Sequence, residues 1–332
     1  MTQKYDVFGV GNAIVDILAQ IPEDALTELA VNKGAMTLME PPQQAGVLNY
    51  LEGKSLSRAS GGSAANTMVA IAQSGGSGIY AGKVANDPNG KFYHQDLKAA
   101  GIECYVPPAS ETDLPTGTSV ILTTPDAERT MCTHLGISAT LTENDIDVQL
   151  LAQCQYCYVE GYLWTGEPTR KASLKALEAA KENNVKTAFT FSDSFLVDLF
   201  QDDFRSLVTQ NCDTVFCNAD EARKFFGHED PAECAKQMSD LCELGFITDG
   251  PNGCHVSENG MVTNVAGFKV NAVDTVGAGD AFAGGVLYGL TNGMSAVDAA
   301  KWGNYFASQV VGRFGPRMDT PMQDQLDLIM NS

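Results

Sequence analysis

Asp274-Thr275-Val276-Gly277-Ala278-Gly279-Asp280-Ala281-Phe282 reads as a turn of small residues that opens a helix, whose next turn holds Ala283, Gly284 and Gly285. The first turn of any helix carries unpaired N–H groups at the positive end of its dipole. Glycines there let the backbone close on an anion, so the turn is a candidate cradle for a phosphate or an oxyanion. Asp280 stands just inside the helix start. Its carboxylate has two readings. One is a partner for the helix dipole. The other is a general base, taking a proton from a hydroxyl that attacks a phosphoryl group held on the same N–H groups. Phosphoryl transfer needs position, charge neutralisation and an aligned nucleophile more than covalent help. A base beside an anion cradle supplies two of these three.

Outward from this turn, short apolar runs alternate with helical stretches. Strands are expected at 5–10, 78–82, 154–160, 186–190, 214–217 and 244–248. Helices are expected at 63–73, 92–100, 169–183, 220–226, 231–243, 279–290 and 295–311. Such alternation predicts an α/β fold with a largely parallel sheet covered by helices on both faces. Asn12–Leu38 and Glu103–Leu135 break the rhythm and read as β-rich excursions, the second with a hairpin of 118–123 and 128–134 across Pro125-Asp126. They are expected to pair into a small second sheet over the main one. That sheet would be a discontinuous lid drawn from residues 12–58 and 103–135 of a single domain, 1–332.

The 332 residues carry 21 Lys and Arg against 41 Asp and Glu, a net charge of −20, and are 44% apolar. A chain this long buries a core without disulfides or metals. A surface this acidic repels phosphate backbones, which excludes non-specific nucleic-acid binding but not a nucleotide in a locally electropositive pocket. No run approaches the ~18 apolar residues that would cross a bilayer. The N-terminal apolar stretch is interrupted by Asp6, Asn12 and Asp16 and shows no export signal. Nine scattered cysteines, an odd number, fit reduced thiols and a cytoplasmic location. Cys154 and Cys157 form a C-x-x-C, but within QCQYCYVEGY they read as part of a buried strand.

Three patterns fail on inspection. Gly9-Val10-Gly11 follows a strand like a dinucleotide fingerprint, yet position 14 is Ile and no helix starts there. Gly53-Lys54-Ser55 mimics the end of a phosphate-binding P-loop, but its leading glycine falls at Leu48. The four histidines show no metal spacing, so neither zinc nor a serine-hydrolase triad is assigned.

D-T-x-G-A-G-D-A-F strongly resembles the C-terminal signature of the ribokinase-like (pfkB) carbohydrate kinase family. Ser60-Gly61-Gly62-Ser63-Ala64-Ala65-Asn66-Thr67, followed by a small-residue helix, is similar to the family's N-terminal signature. Asn218-Ala219-Asp220-Glu221 resembles its N-x-x-E. The three stand in the family's order and spacing across essentially the whole chain. The resemblance implies a ribokinase-like three-layer sandwich and an ATP- and Mg2+-dependent kinase acting on a primary hydroxyl. It implies Asp280 as base and the backbone of Gly277, Ala278 and Gly279 as the anion hole. Asn218 and Glu221 resemble the pair that organises Mg2+ largely through water, which suits an ion that dehydrates reluctantly. On residue type alone, the same two are a helix N-cap and its first-turn partner, and both readings can hold together. Arg129 matches a lid arginine that reaches towards the phosphates, while as a residue it equally reads as a surface arginine on a hairpin. Thr248, Gly250 and Gly253 match the glycine-bearing ATP loop, and Asn304 the helix bordering the adenine pocket. Asp274 and Val276 match backbone positions of a monovalent-cation site, such as one for K+.

The N-terminal part resembles the adenosine kinase branch. Gly9-Val10-Gly11-Asn12-Ala13-Ile14-Val15-Asp16-Ile17 is close to that branch's G-x-G-N-x-x-x-D-I. The resemblance implies that Asp16 holds sugar hydroxyls, with Asn12, Gly61, Gly62 and Asn66 lining the same pocket. A carboxylate accepts two hydroxyl hydrogen bonds, which suits a vicinal diol. Tyr162-Leu163-Trp164 aligns with a stretch that touches a substrate base, and reads equally as core. Val276 departs from the Asn that animal-type adenosine kinases commonly have there, removing one contact to a nucleobase. Adenosine, another nucleoside, ribose and fructose all stay open, as does a monomer or a homodimer. The reading of another class is a non-catalytic ligand-binding homologue.

Overall fold

In strand β1 (Tyr5–Val10), Phe8 and Val10 enter one apolar cluster and Val7 another, all fully buried. The split recurs in Cys154–Glu160, where Cys157 and Val159 face the first cluster and Tyr158 the second. Strands apolar on both faces belong to a sheet covered by helices on both sides. The computed structural model describes residues 4–331 and has this three-layer arrangement. After β1, the strands in chain order are β2 (Ile14–Gln20), β3 (Met36–Leu38), β4 (Ser57–Gly61), β5 (Gly78–Ala81), β6 (Glu103–Cys104), β7 (Thr116–Thr123) and β8 (Arg129–Gly136). They continue with β9 (Cys154–Glu160), β10 (Lys186–Thr190), β11 (Thr214–Asn218), β12 (Leu244–Thr248), β13 (Cys254–Glu258) and β14 (Met261–Val265). The main sheet has nine strands in the order β14-β13-β12-β11-β10-β9-β1-β5-β6. All its pairings are parallel except the antiparallel β12–β13 and β13–β14.

One face is covered by helices Glu167–Glu182, Ser194–Asn211, Ala219–Phe226 and Pro231–Met238. The other is covered by Ser63–Gln73, Ala278–Thr291 and Ala296–Val311. The sequence misses Ser194–Asn211. Asp193 caps that helix by accepting from the Phe195 N–H at 3.2 Å, and the helix bends at Phe200, where φ is −128° and ψ 26°. The helix expected at 92–100 starts earlier, at Pro88, because Asp87 caps it through the Gly90 N–H. Pro88 itself takes the first position, where a missing N–H costs nothing.

The second sheet runs β3-β8-β7-β2-β4. The expected hairpin is β7–β8, antiparallel from Thr116↔Gly136 to Thr123↔Arg129. Two points correct the expectation. The second excursion begins in the main sheet, because β6 pairs with β5 through Ile79↔Glu103, and only Thr116 onward joins the second sheet. The expected lid span 12–58 also carries helices, Asp24–Glu28 and Pro41–Tyr50. Leu26, Val47 and Leu51 from that region pack with Ala19, Val120, Leu122 and Cys132 of the second sheet. Gln44 crosses this interface, donating to the Thr118 and Cys132 carbonyls and accepting from the Thr118 hydroxyl, so its buried amide is satisfied. Among the described residues, no helix is long and apolar enough to cross a membrane.

Candidate active site

A cavity of about 1030 Å3 opens between the carboxyl ends of the main sheet and the inner face of the second. Glu160, Thr190, Asn218 and Thr248 reach it as the last residues of β9 to β12. In parallel α/β sheets the strand ends point helix N-termini and loops into such a crevice. Asp16, Ser119 and Thr133 face it from the second sheet.

Gly277 is the N-cap of the Ala278–Thr291 helix, with φ at +73°, a left-handed conformation that glycine adopts freely. A Cβ there would lie 2.6 Å from the Pro316 carbonyl oxygen. Among the described residues, the N–H groups of Gly279 and Asp280 have no protein partner. They border the cavity at the positive end of the helix dipole. The Asp280 carboxylate accepts from Ser63 Oγ at 2.6 Å and from Asn66 Nδ2 at 3.2 Å. Burial raises its pKa, opposed by these two hydrogen bonds and by the charges of Arg129 and Arg317. Arg129, at the start of β8, donates to the Thr275 carbonyl at 3.3 Å and so spans from the second sheet to the signature turn.

Asp16 is 3% exposed, and burial pushes its carboxyl up to about 7 despite the opposing charge of Arg317. Among the described residues no group donates to it. Gly61 sits directly behind it, where a Cβ would lie 2.1 Å from the Asp16 carboxyl carbon. Gly62 has φ at +99°, and a Cβ there would strike the Asn12 carbonyl oxygen at 2.0 Å. Asn12 is held by Glu160, which accepts from the Asn12 N–H at 2.8 Å and its Nδ2 at 3.0 Å. Glu160 also accepts from the Ala64 N–H at 2.7 Å, and burial places its pKa at about 7.

At the other end, Asn218 and Glu221 form a reciprocal capping box. The Asn218 N–H and Nδ2 donate to the two Glu221 oxygens at 2.9 and 2.8 Å, and the Glu221 N–H donates to Asn218 Oδ1 at 2.9 Å. Both line the cavity, and burial pushes Glu221 up to about 8. One carboxylate and one amide fit an ion that keeps most of its water and is otherwise held by phosphates, as Mg2+ does. Thr248, Gly250 and Gly253 line the same end. Asn304 lines it too, but its Nδ2 is spent on the Val265 and Ala266 carbonyls at 3.0 and 3.2 Å.

Residues 36–323 match the family described as "pfkB family carbohydrate kinase". The chain belongs to that family. Its fold resembles that of the adenosine kinase from Sinorhizobium meliloti, with a TM-score of 0.93 and 35% identity over 98% of this chain and 99% of that one. It is equally similar to a probable sugar kinase from Rhizobium etli CFN 42, with a TM-score of 0.92 and 34% identity over 99% of each chain. A probable chloroplastic fructokinase-6 from Arabidopsis thaliana is 28% identical, covering 79% of this chain and 70% of the relative.

Most of the residues singled out in the sequence meet at this one cavity. The exceptions have physical causes. Gly61 does not line it but makes room behind Asp16. Asp274 is fully buried beneath the turn, its carboxylate spent on the Val276 and Gly315 N–H groups at 3.0 Å each. Tyr162 lines the cavity, whereas Trp164 packs edge-on against Phe189 and Phe204 in the core. Sequence reading missed Glu160, Ser63 and Arg317. Ser63 lies inside the quoted signature, but nothing in the sequence pairs it with a residue more than two hundred positions away.

Proposed function

We propose that the protein transfers the γ-phosphoryl group of ATP to a primary hydroxyl of a nucleoside resembling adenosine. The observation that carries the reading is the pair of N–H groups at Gly279 and Asp280, unpartnered among the described residues, beside the Asp280 carboxylate in one cavity that also holds Asp16 and Glu221. The acceptor hydroxyl gives its proton to an Asp280 oxygen as its own oxygen bonds to phosphorus. The bond from phosphorus to the ADP oxygen breaks, and ADP leaves with that electron pair. The Gly277, Gly279 and Asp280 N–H groups cradle the transferring group, the expected Ala278 N–H being spent instead on the Thr275 carbonyl at 3.3 Å, and Arg129 adds charge from the second sheet. Mg2+, held largely through water by Glu221 and Asn218, supplies charge neutralisation at the phosphates when bound. Thr248, Gly250, Gly253 and Asn304 form the nucleotide end. Asp274 and Val276 would hold a K+ ion through their backbone carbonyls, and the second sheet would close over the site as a lid that excludes water.

The acceptor hydroxyls fall to Asp16, with Asn12, Gly62 and Asn66 around them. Beyond Asp16 the wall is mostly apolar, made by Ile14, Met36, Leu38, Met131 and Leu135, with the Ser119 and Thr133 hydroxyls paired to each other at 2.8 Å among them. A free sugar leaves such a wall unused, whereas a flat base fills it, which favours a nucleoside. The curated relatives favour the second reading, a plain sugar kinase. The test is kcat/KM for adenosine, ribose and fructose under identical Mg·ATP. Burying the apolar face of a base against this wall is worth about 1.5–3 kcal/mol, so adenosine should lead by roughly ten-fold or more. A free sugar that exceeds adenosine overturns the nucleoside and leaves the kinase. No ADP from any acceptor supports a non-catalytic homologue.

A further inference from the structure

The segment Gly315-Pro316-Arg317 follows the Ala296–Val311 helix and lies behind the site. The Gly315 N–H donates to Asp274 at 3.0 Å, and the Pro316 carbonyl backs Gly277 so closely that no Cβ fits between them. Arg317 then turns to the acceptor side. Its Nε donates to Asn66 Oδ1 at 2.9 Å, and its Nη1 donates to Ser60 Oγ at 2.9 Å and to Asp96 at 3.3 Å. Nη2 is buried with no partner among the described residues. One tripeptide thus touches the signature turn, the β4 end and the helix that carries Asn66.

The bond to Asn66 has a chemical consequence. A side-chain amide has one end that accepts and one that donates. With Oδ1 taken by the guanidinium, Nδ2 is the end left for Asp280, and it donates there at 3.2 Å. An inverted amide would set an oxygen against the carboxylate and N–H groups against the guanidinium. Burying a guanidinium is costly unless it is well paired. The side chain is only 11% exposed, and its one ion-pair partner among the described residues, Asp96, is 34% exposed. The other carboxylates that feel its charge are Asp16 and Asp280.

We propose that Arg317 is a positioning residue of the phosphoryl-transfer site, setting the Asn66 amide to donate to Asp280 and placing one cationic charge between Asp280 and the acceptor-side Asp16. The inference rests on the kinase reading above. Nothing in the quoted signatures carries it, since Arg317 lies beyond the last of them. Its charge opposes the upward push of burial on both carboxylates. Around Asp280 the other charged and titratable groups are Arg129 from β8, Asp16 from β2, Glu160 and Tyr158 from β9, and Tyr162 beyond it.

The experiment compares Arg317→Met, which keeps the bulk, with Arg317→Lys, which keeps the charge but not the fork that reaches Asn66 and Ser60 together. Misplacement of this kind costs up to ~10²-fold, so Arg317→Met should lower kcat by ~10-fold or more and raise the acceptor KM. The KM for ATP should stay within about two-fold, because the Arg317 side chain bonds to Asn66, Ser60 and Asp96 and, among the described residues, to none at the nucleotide end. The acid limb of kcat/KM against pH should move up by about one unit, since the ionised base loses a neighbouring cation. Arg317→Lys should return the limb towards wild type while recovering kcat only in part. An unmoved limb, or equal loss for both substrates, makes Arg317 a brace and overturns the proposal. A second measurement needs no turnover. In protein labelled with 13C at Asp carboxyls, with Asp280→Asn assigning the signal, the Asp280 midpoint should rise in Arg317→Met and fall back in Arg317→Lys. An unmoved midpoint overturns the proposal whatever the acceptor. Absence of turnover in wild type with a moved midpoint instead overturns the kinase reading alone. Should Arg317→Met not fold, Arg317→Gln replaces it, with the same rise expected.

Discussion

At the carboxyl ends of the main sheet, the acidic groups facing the cavity already have protein donors. Glu160 is met by Asn12 and Ala64, Glu221 by Asn218, and Asp280 by Ser63 and Asn66. On the second sheet, Asp16 is buried like Glu160 and Glu221 but has no donor among the described residues. The main sheet is covered by helices on both faces, whereas the second packs one face on its own short helices and turns the other to the cavity. A preorganised catalytic group must be fixed before substrate arrives, and so spends its lone pairs on the protein. A recognition group must keep its lone pairs for the ligand, and until then its burial costs stability. The contrast therefore separates the half of the site that acts from the half that selects.

The largest expected effect tests the acting half. Asp280→Asn removes the proton acceptor while leaving an oxygen for Ser63, and should lower kcat by at least ~10²-fold, the range for loss of a general base. ATP affinity and thermal stability should be little changed. Turnover near the wild-type rate would remove Asp280 from the acting half and break the contrast at its centre.

Next is the selecting half. Hydrogen bonds to a charged group contribute about 1.5–3 kcal/mol each, so Asp16→Ala should weaken acceptor binding ~10²-fold or more. Isothermal titration with the acceptor, and KM for ATP measured alongside, check this. Equal damage to both substrates would make Asp16 a structural residue.

Much of this was legible in the sequence. The core strands announced themselves because each is apolar on both faces, as β1 and β9 show. The signature turn announced its chemistry because glycines before a helix have few other uses. Three things were not legible. The Ser194–Asn211 helix bends at Phe200, which interrupts its apolar period. The role of Gly61 depends on a carboxylate from β2, brought opposite it by the antiparallel pairing of β2 and β4. Arg317 and Glu160 act through residues far away in the chain, and spacing within one segment carries no trace of such a partner.

A smaller effect is expected at Glu221, where capping and metal holding overlap. Glu221→Gln keeps most of the cap geometry but removes the charge. It should raise the Mg2+ concentration for half-maximal activity several-fold, on the order of what loss of one carboxylate contact does to an ion held mainly by water. Acceptor binding without ATP should not move. An unchanged Mg2+ titration would leave Asn218 and Glu221 as a helix cap alone.

The smallest effect is the most discriminating, because it reads the unsatisfied carboxylate in the absence of any ligand. Asp16 titrates near 7 in the folded protein against 3.8 when exposed, owing to burial. Between those values the folded state holds a proton that the unfolded state has lost. Folding stability therefore falls as pH rises from about 4 to 7, being fully present below the lower value and lost above the upper. Asp16→Asn abolishes that loss while keeping the shape. At pH 5, low in that window, only part of the loss has occurred, so the variant should exceed wild type by less than it does at pH 8. At pH 8 the variant should be more stable by roughly 0.5–2 kcal/mol, a gain typical of relieving a functional site's strain, even though it binds acceptor poorly. Urea unfolding of the ligand-free protein at both pH values measures this. A variant that is destabilised at pH 8, or whose advantage is the same at both pH values, would mean that Asp16 has a protein partner after all, and the contrast between the two sheets would fail.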